Sequence, residues 1–245
     1  MTLVQGGRTN YGLAIGVLML DTVFPRIPGD IGNATTFDYP VCYRIVQGAF
    51  SHLIVSEHPD PRLIEPFVQE ARELEKAGVR LITTSCGFLG PFQPVLARAV
   101  GIPVITTALI QVPLVSAIIG KGRKVGIITE KAHLLTENHF QGAGWSSSQI
   151  PVVVQGMPED AYFPTVFIGN SPEADIGRLE QEMVGLGKTL VREHPDVGAI
   201  VCECTNFVPF NKAVQEAVGL PIFDIITLVH YVCGASLYRP FSGFL

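Results

Sequence analysis

The chain has 245 residues, enough to bury a large core as one domain or as two small ones. Hydrophobic residues make up 47% and charged residues 16%, with a mean hydropathy of +0.35; this favours an α/β fold whose central strands are covered on both faces. A net charge of −5 with no Lys/Arg cluster argues against a nucleic-acid partner and fits a cytoplasmic protein.

Residues 1–11 are polar and glycine-bearing, and are expected to form a loose leader, not a secretory signal. Leu13–Asp21 is an apolar run of strand length ending in Asp21-Thr22. The stretch from Phe24 to Pro40 is rich in Pro, Gly, Asn and Asp and reads as a long loop of the kind that serves a site. It carries Arg26, a candidate partner for a substrate carboxylate, and Asp30 and Asn33, which read as caps or turn formers. Tyr43 and Arg44 are expected on a helix surface. Pro61–Gly78 has apolar residues at helical spacing, with Pro at the start and Gly at the end. A strand over Val79–Ser85 then delivers Cys86, followed by a helix after Pro94 and a strand over Pro103–Leu109. The uncharged segment Ala99–Gly120 is broken by Pro103 and Pro113 and carries Thr106, Thr107, Gln111 and Ser116, so a strand and a helix are expected there and no membrane span.

The second half starts the pattern again. Lys124–Glu130 mirrors the opening strand and ends in Thr129 and Glu130. Ala174–Pro195 is a helix with a glycine-bearing middle, and Val197–Glu203 is a strand that delivers Cys204. A short helix over Asn211–Gly219, a strand over Pro221–Ile226 and a last helix over about Leu228–Tyr238 complete it.

The repetition is legible in the letters. Val79–Pro103 aligns without gaps onto Val197–Pro221, 118 residues on, and nine of the 25 positions are identical, where chance gives about one or two. The shared positions include Cys86/Cys204, Pro91/Pro209 and Phe92/Phe210. The expected architecture is two similar α/β lobes with parallel sheets flanked by helices, related by a pseudo-two-fold repeat, with a cleft between them. The first lobe is residues 1–118, the second 119–227, and segment 228–245 packs back on the first.

Each repeat places a cysteine at the carboxyl end of a parallel strand, the edge at which such sheets bind ligands. Beyond each thiol the chain turns through Gly87-Phe88 or Thr205-Asn206, offering free backbone N–H groups to an anion and lowering the thiol's pKa. Two thiols on opposite walls of one cleft suit proton removal from a carbon beside a carboxylate and proton return on the other face, with no cofactor. The other cysteines fit other roles. Cys42 and Cys233 have apolar neighbours and are expected in the core. Cys202 makes a Cys-x-Cys pair with Cys204, but no second pair or His-x₃-His accompanies it, which argues against zinc.

At these residues the chain resembles the aspartate/glutamate/hydantoin racemase superfamily. Glutamate racemases carry an early Asp-Ser, a Cys-Asn-Thr and a Gly-Cys-Thr-His; this chain has Asp21-Thr22, Cys86-Gly87-Phe88 and Glu203-Cys204-Thr205-Asn206. Gly87-Phe88 stands where those enzymes have Asn-Thr, and Asn206 where they have His. The run from Gly16 to Val46, with Ser85–Leu89 and Glu203–Phe207, is similar to the branch that includes the algal dimethylsulfoniopropionate lyases. In that branch the resemblance implies that one cysteine takes the α-proton and the sulfonium then leaves from the β-carbon.

Cys86 and Cys204 are therefore the expected acid/base pair. Asp21, Thr22, Arg26, Thr84, Ser85, Gly87, Phe88, Thr129, Thr205 and Asn206 are the expected substrate-binding residues. The leading expectation is a cofactor-independent racemase or isomerase of a small carboxylate-bearing substrate, an amino acid or hydantoin-like ring, acting as a homo-oligomer. The alternative is a lyase that releases dimethyl sulfide from dimethylsulfoniopropionate, with Phe88, Tyr39, Tyr43 and Trp145 as candidate aromatic walls for a sulfonium. A non-catalytic two-lobed binder is the third. His139 and His230 sit at no expected strand end and are left out of the site.

Overall fold

The structure is a computed structural model that describes residues 3–238 and 240–243. It contains two four-stranded parallel sheets. The first, in spatial order β2-β1-β3-β4, comprises β1 (Ile15–Met19), β2 (Val41–Ile45), β3 (Leu81–Thr84) and β4 (Val104–Ile105). The second, in order β6-β5-β7-β8, comprises β5 (Lys124–Thr129), β6 (Val152–Gly156), β7 (Val197–Cys202) and β8 (Ile222–Phe223). The two orders correspond strand for strand, so the repeat in the letters is a repeat in space.

The helices are α1 (Ser51–Ile54), α2 (Ile64–Ala77), α3 (Gln93–Ala99), α4 (Val112–Ile118), α5 (Glu137–Gly142), α6 (Tyr162–Phe167), α7 (Ile176–Glu193), α8 (Asn211–Val218) and α9 (Ile225–Ser236). The sequence explains their limits. Gly78 ends α2 in the left-handed conformation at φ 93°, and Asp175 caps α7 by accepting from Arg178 N. The long helices dock alike. A Cβ on Gly16 of β1 would lie 2.9 Å from Leu74 of α2, and one on Gly126 of β5 would lie 2.7 Å from Leu190 of α7. A glycine in each central strand lets its helix settle closely onto the sheet.

Three expectations needed correction. Tyr43 and Arg44 lie on β2, an edge strand, not on a helix. β6 was not foreseen; its apolar run, Val152–Val154, is only three residues long, and both edge strands are half-exposed where β1 and β5 are buried. The last helix begins at Ile225, because Asp224 and Thr227 form a reciprocal capping box that ends the strand early.

The lobes exchange helices. α4, which follows the first sheet, packs on β5 of the second, and α9, which follows the second sheet, packs on β3 of the first. Gln111 Nε2 donates to Asp224 O at 2.8 Å across this exchange. One apolar cluster consequently runs from Ile15, Val17 and Leu81 through Val112, Val115 and Val229 to Val125, Ile127, Ala199 and Val201. A second lies on the outer face of the second sheet, around Ile128, Ile200, Phe163, Met183 and Leu190. Among the described residues no helix is long and apolar enough to cross a membrane.

Candidate active site

The carboxyl ends of β1, β3, β5 and β7 converge on one narrow cavity. Backbone hydrogen bonds set the two copies in the same register: Ser85 N donates to Leu18 O at 3.0 Å, and Glu203 N donates to Ile128 O at 2.9 Å. The next residue in each is the cysteine. Cys86 and Cys204 both face the cavity and both are extended residues at the start of a 3₁₀ turn, Gly87–Phe92 and Thr205–Phe210. The turns meet head to head. Thr205 Oγ1 donates to Ser85 O at 2.7 Å, while a Cβ on Gly87 would collide with Glu203 O and Oε1. The repeat position that carries a hydroxyl in one lobe must be bare in the other.

Of the residues expected in the site, Thr22, Arg26, Ser85, Gly87, Phe88 and Asn206 line the cavity beside the two cysteines. Arg26 is anchored: its NH1 pairs with Asp30 Oδ1 at 2.7 Å, its NH2 donates to Thr22 Oγ1 at 2.9 Å, and it lies over the Phe24 ring. Asp30 is 1% exposed, and it also accepts from Asn206 Nδ2 at 2.9 Å, tying the loop of one lobe to the turn of the other. It is therefore a link between lobes as well as a turn former.

Asp21, Thr84, Thr129 and Thr205 stand outside the cavity wall. Thr84 Oγ1 donates to Thr106 O at 2.7 Å, and Thr129 Oγ1 to Glu203 Oε2 at 2.7 Å. The aromatic wall is Phe24, Phe88 and Phe167. Phe88 is backed edge-on by His139. Tyr39, Tyr43 and Trp145 lie elsewhere: Tyr43 donates to Ile31 O and Trp145 Nε1 to Leu109 O.

Two residues outside the expected set dominate the electrostatics. Glu130 and Glu203 line the cavity at 5% and 1% exposure. The Cys204 thiol donates to Glu130 Oε1 at 2.9 Å. Burial pushes Glu130 up to about 7, against the hydrogen bond from Cys204. Burial likewise pushes Glu203 up to about 8, with the Thr129 hydroxyl opposing it and the Glu130 charge adding to it. The thiols rise too. Burial, then the Glu203 charge, lifts Cys86 far above its ordinary range, and burial, then Glu130 and Glu203, does the same for Cys204. The Phe88 and Asn206 N–H groups pull the other way, as the turns led us to expect, but burial and the carboxylates outweigh them. Of the two carboxylates, Glu130 is the one that accepts the Cys204 proton in a hydrogen bond.

Glu203 was within reach of sequence reasoning. It occupies the repeat position of Ser85, and a carboxylate at the end of an apolar strand is a signal when its counterpart is a hydroxyl. Among the described residues no grouping of His, Cys, Asp and Glu is suited to hold a metal ion.

No model of a known protein family matches the chain. It is 32% identical over 236 residues to a dimethylsulfoniopropionate lyase of Durusdinium sp. clade D, covering 94% of this chain and 77% of that protein. In fold it is similar to a glutamate racemase isoform of Bacillus anthracis, with a TM-score of 0.59 at 18% identity over 92% of this chain and 81% of that one. It is equally similar to the allantoin racemase of Pseudomonas fluorescens, with a TM-score of 0.59 at 13% identity over 91% of this chain and 90% of that one. By that identity and coverage the chain belongs to the dimethylsulfoniopropionate lyase family, an enzyme family built on the fold of the aspartate/glutamate/hydantoin racemase superfamily.

Proposed function

We propose that this chain is a carbon–sulfur lyase acting on dimethylsulfoniopropionate, with Cys204 as the base. The observation that carries the reading is the Cys204 thiol held 2.9 Å from a buried Glu130 carboxylate on the wall of a cavity shared with Cys86. Cys204 passes its proton to Glu130 and, as thiolate, takes the proton from the carbon beside the substrate carboxylate. The electron pair of that C–H bond becomes the C=C bond of acrylate. The β-carbon–sulfur bond breaks with its pair going to sulfur, and neutral dimethyl sulfide leaves. The proton gained by Cys204 and the one lent to Glu130 restore the starting state once one proton is released to solvent. Arg26 and the Asn206 end of the turn are the polar groups suited to the substrate carboxylate. Sequence alone put racemisation first; membership among the lyases supports elimination in its place.

Racemisation keeps one observation in its favour. Cys86 reaches the same cavity from the other lobe, as a second acid/base on the opposite face would. Proton NMR in deuterated buffer separates the two. With dimethylsulfoniopropionate the expected result is growth of acrylate and dimethyl sulfide signals, abolished in Cys204→Ala. Glutamate, aspartate and allantoin are expected to keep their α-protons. Deuterium wash-in at the α-carbon of one of these, with dimethylsulfoniopropionate untouched, would overturn the lyase reading.

A further inference from the structure

The duplicated scaffold is not filled symmetrically at the cavity. Leu18 pairs with Thr84 as Ile128 pairs with Cys202, so Leu20 and Glu130 hold equivalent places, as do Ser85 and Glu203. In the first lobe the pair is closed: Leu20 N donates to Ser85 Oγ at 2.9 Å. In the second lobe two carboxylates stand there. Glu130 Oε1 accepts from Cys204 and Glu203 Oε2 accepts from Thr129, but Glu130 Oε2 and Glu203 Oε1 are buried with no hydrogen-bond partner.

Burying a carboxylate oxygen without a donor is costly, and folding gains nothing from it here, since the other lobe builds the same strand end with a serine. Of the two, Glu130 is engaged with the Cys204 proton. Glu203 is not engaged with either thiol by a hydrogen bond, and its open oxygen lies beside Gly87 on the cavity wall. The rest of the wall includes three phenylalanines, Phe24, Phe88 and Phe167, beside the aliphatic Leu20, Val55 and Ile168, and among the described residues its one cation, Arg26, is paired to Asp30.

We propose that Glu203 is a specificity residue that receives the cationic end of the substrate, so that the site selects a sulfonium over a neutral group of the same shape. The proposal rests on the lyase reading above and adds the residue that reads the charge. A sulfonium carries no N–H or O–H and can be recognised only by charge and by aromatic faces. An acceptor left without a donor, set among phenylalanine rings, is matched to such a group. Gly87 keeps the opposing lobe's backbone clear of that carboxylate.

The test uses dimethylsulfoniopropionate and its neutral isostere 4-methylpentanoate, in which a CH replaces the positive sulfur. Binding of each is measured by calorimetry on the full chain in a Cys204→Ala background, where the sulfonium is not consumed, with dimethyl sulfide release followed in parallel in chains that keep Cys204. Above about pH 8, where Glu203 is ionised, the protein with Glu203 in place is expected to bind the sulfonium at least about tenfold more tightly than the isostere. Glu203→Gln should remove most of that preference by weakening the sulfonium alone, leaving 4-methylpentanoate unchanged or tighter. Glu203→Ser is the second neutral variant, because serine already fills the equivalent place in the other lobe. It should give the same result, and Glu203→Asp should keep the preference. If both neutral variants retain the ratio, or lose both ligands equally, the proposal is wrong even though dimethyl sulfide is still released. If the unsubstituted protein releases no dimethyl sulfide, the lyase reading fails. The binding ratio then stands as a separate result: equal affinities overturn the charge-reading role of Glu203, and a sulfonium preference lost in the neutral variants upholds it.

Discussion

In the proposed elimination, the hydrogen bond from Cys204 to Glu130 is the contact on which formation of the base depends. A thiol buried beside two carboxylates resists ionisation, and only a neighbour that accepts its proton makes it a base at moderate pH. Glu130 meets that need only in its ionised form, and burial sets its pKa at about 7. For the proposed reaction, kcat/KM should therefore climb as pH rises through about 7. The groups that face this centre are Glu203, Cys86 and Lys131, and Lys131 acts to lower Glu130. Glu130→Gln keeps the shape and removes the acceptor. It is expected to reduce kcat/KM by roughly 10²–10⁴-fold and to abolish the rise near pH 7, leaving any residual activity to climb only at higher pH. A variant with wild-type rates and an unchanged pH profile would show that Cys204 finds its base elsewhere. At this scale the two cysteines were legible because the repeat marked them twice. The Asp30–Asn206 link was not, since its partners lie far apart in the chain and each reads locally as an ordinary turn residue.

Elements read well where burial is complete and poorly where it is partial. β1 and β5 announce themselves as apolar runs, but β2 presents Tyr43 and Arg44 at an exposed edge, where alternation fades and the helix reading wins. β4 and β8 are two-residue pairings whose continuation is taken over by caps at Thr107 and Asp224, so their predicted lengths were too great. Helix α7 gives a sharper case. Its glycine-bearing middle is one feature in the sequence and two in space. A Cβ on Gly187 would sit 2.6 Å from Val214 of α8, so this glycine is what lets the two helices approach. Gly185 is exposed, and a Cβ there meets nothing within 4 Å. Gly187→Ala should then lower stability by about 1–3 kcal/mol through overpacking. Gly185→Ala should raise it by roughly 0.5–1 kcal/mol, because the unfolded chain loses freedom that the helix never used. Urea titrations of the two variants check this. Equal effects would mean that α7 and α8 are not in close contact there.

At the scale of the whole molecule, the exchanged helices make the two lobes one thermodynamic unit. α4 and α9 each complete the other lobe's core, and the cluster from Ile15 to Val201 is continuous across the boundary. Neither sheet can shed its partner without exposing apolar surface, so thermal unfolding should be a single transition with matching calorimetric and van't Hoff enthalpies. The buried carboxylates set its pH dependence. The folded-state values of Glu130 and Glu203, about 7 and 8, lie above those of the unfolded chain, near 4.5. Between these limits the unfolded chain releases protons that the fold retains, so both groups lower stability as pH rises. His139, depressed to about 4 by burial, acts in the opposite sense, but only up to its unfolded value of 6.5. Burial raises Cys86, Cys202, Cys204 and Cys233 out of this range. The window from about pH 6.5 to 8 thus belongs to the two glutamates, which at roughly 1.4 kcal/mol per pH unit per group remove on the order of 1–3 kcal/mol. Calorimetric scans should show the melting temperature falling by several degrees across that window, about 2–4 °C per kcal/mol for a chain of this size. In the Glu130→Gln, Glu203→Gln double variant the slope should vanish. A melting temperature that stays level over the same interval would mean that both carboxylates are already ionised in the fold below pH 6.5, so that burial does not make them hold their protons.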